Sequence, residues 1–172
     1  MTSPHVASLA GAEPVFASEL GQIRELTAAS FTILRRMSIR QTVLEPGAIR
    51  EPQWNLNANQ LAYVTRGRVL VSLLGNADDF ASSVVEAGQM FHVESGSVFH
   101  IANIAEEASE IVAALRSGAP EHFSFAAGVN AMTDAVLGTA RRRRRSPAKC
   151  LPWRSRCPSA NCLCCPTLRS TP

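Results

Sequence analysis

The first 149 residues contain no cysteine, and the first 148 contain no lysine. Without cysteine, that part of the chain has neither a disulfide nor a thiolate metal ligand to hold it. Its stability must come from an apolar core, and about 140 residues is enough chain to bury most of its own surface. No apolar run approaches the roughly 20 residues that cross a bilayer as a helix. The N-terminus lacks a basic segment, and Glu13 and Glu19 interrupt its apolar residues before a signal-peptide core can form. The expected location is cytoplasmic. Acidic residues are missing after Asp134. Residues 1–140 hold 14 acidic and 8 basic residues, a formal charge of −6, whereas residues 141–172 hold 9 basic and no acidic ones. The overall +3 hides two segments of opposite sign. A negative domain presents no basic surface by composition, so nucleic acid is not an expected partner.

What is present is a series of short apolar runs between turn signals. Ser38–Leu44 alternates, and Leu61–Thr65, Arg68–Leu74, Phe80–Glu86, Met90–Val93, Val98–Ile104 and Ile111–Leu115 follow. Gly75 to Asp79 is a turn cluster that joins two of these runs as a hairpin. Short strands every ~8–12 residues indicate an all-β sandwich or barrel. One helix is expected over residues 130–137, capped by Asn130, with Met132, Ala135 and Val136 on one face and Gly138 ending it. It is expected to pack on the outside of the barrel. The chain thus divides into an N-terminal arm (1–29), a barrel with its helix (30–139) and a tail (140–172). The tail opens on five adjacent arginines, Arg141–Arg145, and holds five prolines and all five cysteines. Adjacent like charges oppose compact structure, so a disordered tail is expected. Arg141–Arg145 has the composition of a nucleic-acid or nuclear-targeting patch. Cys162, Cys164 and Cys165 are spaced too tightly for a structural zinc site. A shifted GC-rich reading frame would also yield such an Arg, Pro, Cys and Ser composition.

Spacing in the barrel segment carries a specific pattern. Gly47 is followed after five residues by Gln53-Trp54-Asn55, after four more by Gln60, and after six more by Gly67. Further on, Gly88, Glu94, Gly96, Phe99 and Asn103 form a second spaced set. These sets resemble the paired motifs of the cupin family, whose first motif carries His-x-His and Glu and whose second carries Pro-x-Gly, His and Asn. The stretch Arg50 to Asn55 with Asn57, Ala58 and Asn59 resembles the surroundings of the metal histidines in oxalate-decarboxylase-like and spherulin-like cupins. Pro120-Glu121-His122 and Val129–Leu137 resemble that group's C-terminal helix. The resemblance covers roughly residues 10–139. It implies a double-stranded β-helix, or jelly-roll barrel, that pairs as a homodimer, and open strand edges favour such pairing.

In that family three histidines and a glutamate bind manganese or iron inside the barrel. By position these sites fall on Gln53, Asn55, Gln60 and Phe99 in this chain. Amides offer only neutral oxygens and phenylalanine offers no donor, whereas divalent transition metals want imidazole and carboxylate. The expectation is a ligand pocket without metal and without catalytic residues. His100 adjoins Phe99, but successive strand residues face opposite sides, so His100 points outward if Phe99 points in. His92, His122 and His5 have no ligand-like neighbours in the sequence. Ser95-Gly96-Ser97 reads as a turn, and Trp54 as packing near the barrel mouth. Two readings of the pocket stand: Gln53, Asn55 and Gln60 hold a small polar molecule, or they bond to one another and to backbone as an inert, structural plug. The competing reading, from the resemblance alone, is a metal-dependent, oxalate-decarboxylase-like enzyme.

Overall fold

The computed structural model describes residues 4–75 and 79–133. Their elements run β1 (Pro14–Ser18), β2 (Gly21–Leu26), β3 (Ser38–Leu44), β4 (Ile49–Asn55), β5 (Gln60–Arg66), β6 (Arg68–Leu74), β7 (Phe80–Glu86), β8 (Met90–Val93), β9 (Val98–Asn103), β10 (Ser109–Leu115), β11 (His122–Ser124) and α1 (Phe125–Asn130). The expected all-β architecture is what forms. One sheet has the order β1-β2-β3-β10-β5-β8 and the other β11-β4-β9-β6-β7. All the pairings are antiparallel. The compact unit closes at Ala131. Its apolar core is built on Val64, Val69, Val71, Ile101, Ile111 and Leu115, all buried. The β6–β7 hairpin pairs Leu74 with Phe80 at the expected turn, and Gly75 N–H closes it onto the Asp79 carbonyl at 2.8 Å.

The spaced glycines explain why the motif is legible. Gly47, Gly67, Gly88 and Gly96 all have positive φ, between 72° and 92°, a region that side chains with a Cβ rarely enter. Gly67 has a second constraint, since a Cβ there would collide with the Ser109 side chain. Asn103, the last residue of the second motif, is buried and ties three segments together. Its Nδ2 donates to the carbonyls of Leu44 (2.9 Å), Glu45 (3.1 Å) and Glu107 (2.8 Å). Its Oδ1 accepts from Ala105 N (2.9 Å) and Ser109 Oγ (2.7 Å).

Two features depart from the sequence pattern. The N-terminal arm contains two strands, β1 and β2, which extend the first sheet through β3. The helix lies earlier than expected. Ser124, in extended conformation, caps it by accepting from Ala127 N, and Asn130 is its last residue rather than its cap. A serine hydroxyl directly after the three-residue β11 is the cap that the apolar pattern did not reveal. The helix buries none of its residues and meets β4 and β11. Residues 134–137 of the expected helix, and the tail with its arginines and cysteines, lie outside the described residues.

Candidate functional site

The polar interior is set by strand phase. In β3, Ser38, Arg40, Thr42 and Leu44 are buried while Ile39, Gln41 and Val43 are half-buried. The strand therefore turns its polar set inward. Along β4, two residues separate the inward Arg50 and Gln53, whereas on β9 only one lies between their partners Ile101 and Phe99. This is a bulge over Glu51 and Pro52, a position suited to a residue without an N–H. The bulge brings Arg50, Gln53 and Asn55 to one face.

Register then assembles the site. Ser38, Leu115 and Gln60 form one inward row, and Arg40, Ala113 and Ala62 form the next. Two small side chains thus stand across from Arg40 in this row. Arg40 is only 2% exposed, and Arg50 is buried as well. Opposite Arg40 on β2 lies Glu25, whose oxygens accept from Arg40 Nη2 at 3.3 and 3.4 Å. Among the described residues, Arg50 has no carboxylate at such a distance. Its Nη1 donates to Thr42 Oγ1 at 3.0 Å. With the Gln53 amide turned so that oxygen faces the guanidinium, that oxygen accepts from Arg50 Nε at 2.6 Å and Nη2 at 3.0 Å. Of the two buried guanidiniums, only that of Arg40 is ion-paired among the described residues. Burial first, and the Arg40 charge second, push the Arg50 pKa down to about 9, against the opposing pull of Glu25 and Glu51. Arg50 therefore stays charged at neutral pH. Arg40 Nη1, Ser38 Oγ and Asn55 Oδ1 are buried and have no hydrogen-bond partner among the described residues.

All four residues at the family's metal positions are buried. Asn55 Nδ2 donates to Gln60 Oε1 at 3.2 Å, so these two amides engage each other. Gln53 and Phe99 are direct cross-strand partners. This donor set does not fit manganese or iron: three neutral amides, two of them already bonded together, and a hydrocarbon ring. Among the described residues, no group of three or more His, Cys, Asp or Glu side chains is placed to hold a metal. His100 is half-buried beside the buried Phe99 and pairs with Ser72. His122 pairs with Asn55 across β11 and β4. Although its surface is largely open, partial desolvation, followed by the charges of Arg40 and Arg50, holds its pKa below the ordinary imidazole value. Trp54, on the outer side of β4, stacks on Phe123 at 5.8 Å.

Sequence reasoning missed Glu25, Arg40, Thr42 and Arg50. Pro52 inside an apparent strand was the available signal for the bulge, and hence for the inward Arg50. Arg40 had no such signal, because the apolar residues of its strand occupy the other face.

Comparison with known proteins places these features. The family described as Cupin matches residues 7–141. The 11S globulin seed storage protein G3 of Helianthus annuus is 38% identical over 60 residues, covering 34% of this chain and 12% of the globulin. Legumin K of Pisum sativum is 32% identical over 109 residues, 62% of this chain and 29% of the legumin. The chain spans less than a third of the length of such curated relatives. Among solved structures, Bacillus subtilis oxalate decarboxylase superposes with TM-score 0.72 at 21% identity, covering 79% of this chain and 36% of that one. An oxalate oxidase superposes with TM-score 0.73 at 21% identity, covering 82% and 75%. At such identities the likeness concerns the fold alone.

Proposed function

Because this chain belongs to the cupin family, and amides and a phenyl ring stand where the family's metal ligands fall, we propose that it is a non-catalytic, metal-independent member that holds a small anion between its sheets. The observation that carries this reading is the pairing of the buried charges: among the described residues Arg40 is ion-paired with Glu25, Arg50 has no carboxylate within ion-pair distance, and Arg40 Nη1 has no hydrogen-bond partner. A buried, uncompensated cation is costly, and several kcal/mol are at stake when a partner is missing. A carboxylate or halide ion beside Arg40 would supply the second negative charge. The alanines at 62 and 113 flank the place it would take. The name of the Helianthus annuus relative describes a seed storage protein, which agrees with a non-catalytic role.

A structural plug is the second reading, favoured by one observation. The Asn55–Gln60 amide pair already satisfies part of the interior internally. Melting of the purified chain in chloride, formate and an inert large anion separates the two. A ligand at ~100 times its Kd stabilises by about 2.7 kcal/mol, so formate or chloride should raise Tm by several degrees in the wild type and not in Arg40→Met. Equal melting in all three anions would leave the plug as the better account.

A further inference from the structure

The negative domain carries a local surface of the opposite sign. A groove of about 530 Å³ crosses one end of β3, β10, β5 and β8, and its lining includes Arg35, Arg36, Arg116 and His92 over an apolar floor of Met37 and Leu61. No Asp or Glu lines it. The composition-based expectation of a domain without basic surface therefore fails locally. The three arginines are exposed, and no ion pair or side-chain hydrogen bond engages them among the described residues. Buried Leu34 anchors the turn that presents two of them. Arg36 is the only non-glycine residue with positive φ among the described residues, at 61°, an unfavourable backbone state for a side chain with a Cβ. Asn59 braces the opposite wall, its Oδ1 accepting from Ser95 N at 2.9 Å and its carbonyl from Arg116 N at 2.9 Å.

We infer that this groove is a binding site for a small organic phosphate, its dianionic head met by Arg35, Arg36 and Arg116 and its apolar body laid on Met37 and Leu61. Guanidinium forks match phosphate oxygens in geometry and charge. Three like charges brought to one groove repel one another until an anion arrives. The volume lies within the range of small-molecule sites, which combine apolar walls with a few polar groups. Neither Arg40 nor Arg50 lines the groove, and Gln60 is the one interior position that it shares.

Titration with phenyl phosphate, followed by calorimetry and by methyl resonances of Met37 and Leu61, tests the inference. Saturable binding that shifts those methyls is expected, tighter than for inorganic phosphate and weakened by added salt. The triple variant Arg35→Gln, Arg36→Gln, Arg116→Gln should weaken it by tenfold or more, about 1.4 kcal/mol per tenfold. Leu61→Ser should weaken phenyl phosphate while leaving inorganic phosphate unchanged, which locates the apolar floor without touching the charges. Arg40→Met should leave phenyl phosphate binding intact, so that failure of the interior reading and failure of this one remain distinguishable. No saturable binding at millimolar phenyl phosphate overturns the inference, as does affinity unchanged in the triple variant.

Discussion

At the scale of single residues, the interior is governed by what each buried polar atom finds as a partner. Arg40 and Glu25 form an ion pair whose side chains are 2% and 12% exposed. Arg40→Met should therefore destabilise by ~2–4 kcal/mol in urea denaturation, because it strands a largely buried carboxylate. A loss below about 0.5 kcal/mol would mean that Glu25 reaches water freely. Asn103 works differently, since it holds backbone rather than charge. Asn103→Leu keeps the volume but leaves three carbonyls, one backbone N–H and one hydroxyl without their amide, and a loss of ~3 kcal/mol is expected from unsatisfied buried groups. On the proposal of an interior anion, Arg50 sets the pH behaviour of its binding. Its pKa is depressed to about 9, so the guanidinium is protonated and attractive below that value and loses its charge above it. Formate affinity should be flat between pH ~6 and ~8 and fall beyond pH ~9, a sign fixed by the proton that leaves as pH rises. Calorimetric titration across that range is the check.

At the scale of elements, legibility tracked backbone geometry more closely than side-chain polarity. The motif glycines were readable because each occupies a turn with positive φ, and their spacing set β4, β5, β8 and β9 in place. Asn103 was readable for the same reason, as a fixed step from Gly96 and Phe99. The charged cluster was not readable from β3, where hydrophobic periodicity puts Ile39 and Val43 in phase and the structure turns Ser38, Arg40 and Thr42 inward instead. A period-2 pattern identifies the two faces but assigns the apolar one to the core only where the core is apolar. The helix was displaced because Ser124 is both the end of a strand and a cap, a double role invisible to apolar spacing. The glycine turns allow a paired test. Gly47→Ala meets nothing within 4 Å and should cost only its left-handed backbone term, ~1–2 kcal/mol. Gly67→Ala carries the same term plus the collision with Ser109, and should cost at least ~1–2 kcal/mol more. Equal losses by thermal denaturation would show that the β5–β6 turn yields to relieve the contact.

At the scale of the whole molecule, the two sheets of the described residues leave four edge strands, β1, β8, β11 and β7. Several edge residues are apolar and exposed, among them Val15, Phe16, Phe80, Val84 and Met90. Exposed edges of this kind invite pairing, and a dimeric mass is expected in light scattering at micromolar concentration, a monomer counting against it. The metal question also belongs to this scale, because a site of this type needs donors that converge from separate strands. Gln53 and Asn55 come from β4, Gln60 from β5 and Phe99 from β9. Asn55 touches Gln60, and Gln53 faces Phe99, so the four positions are neighbours although their chemistry is unsuited to a metal. Protein purified without a polyhistidine tag should hold far less than one equivalent of manganese, iron, zinc or copper by elemental analysis, and should not decarboxylate oxalate. Stoichiometric metal in the wild type would overturn the reading of a lost site. The restoring variant is the sharper experiment. Gln53→His, Asn55→His, Gln60→Glu and Phe99→His together place three imidazoles and a carboxylate on the same strands, the donor types that suit divalent transition metals. Removing Phe99 opens core volume and exchanging the amides breaks their mutual bond, so the variant should be less stable than wild type without metal and regain stability when manganese is added, as linkage requires. A rise in Tm with manganese that the wild type does not show, together with near-stoichiometric uptake, is the expected result. A folded fourfold variant that ignores manganese would mean that strand register alone, with Arg40 and Arg50 close by, does not suffice to rebuild the site.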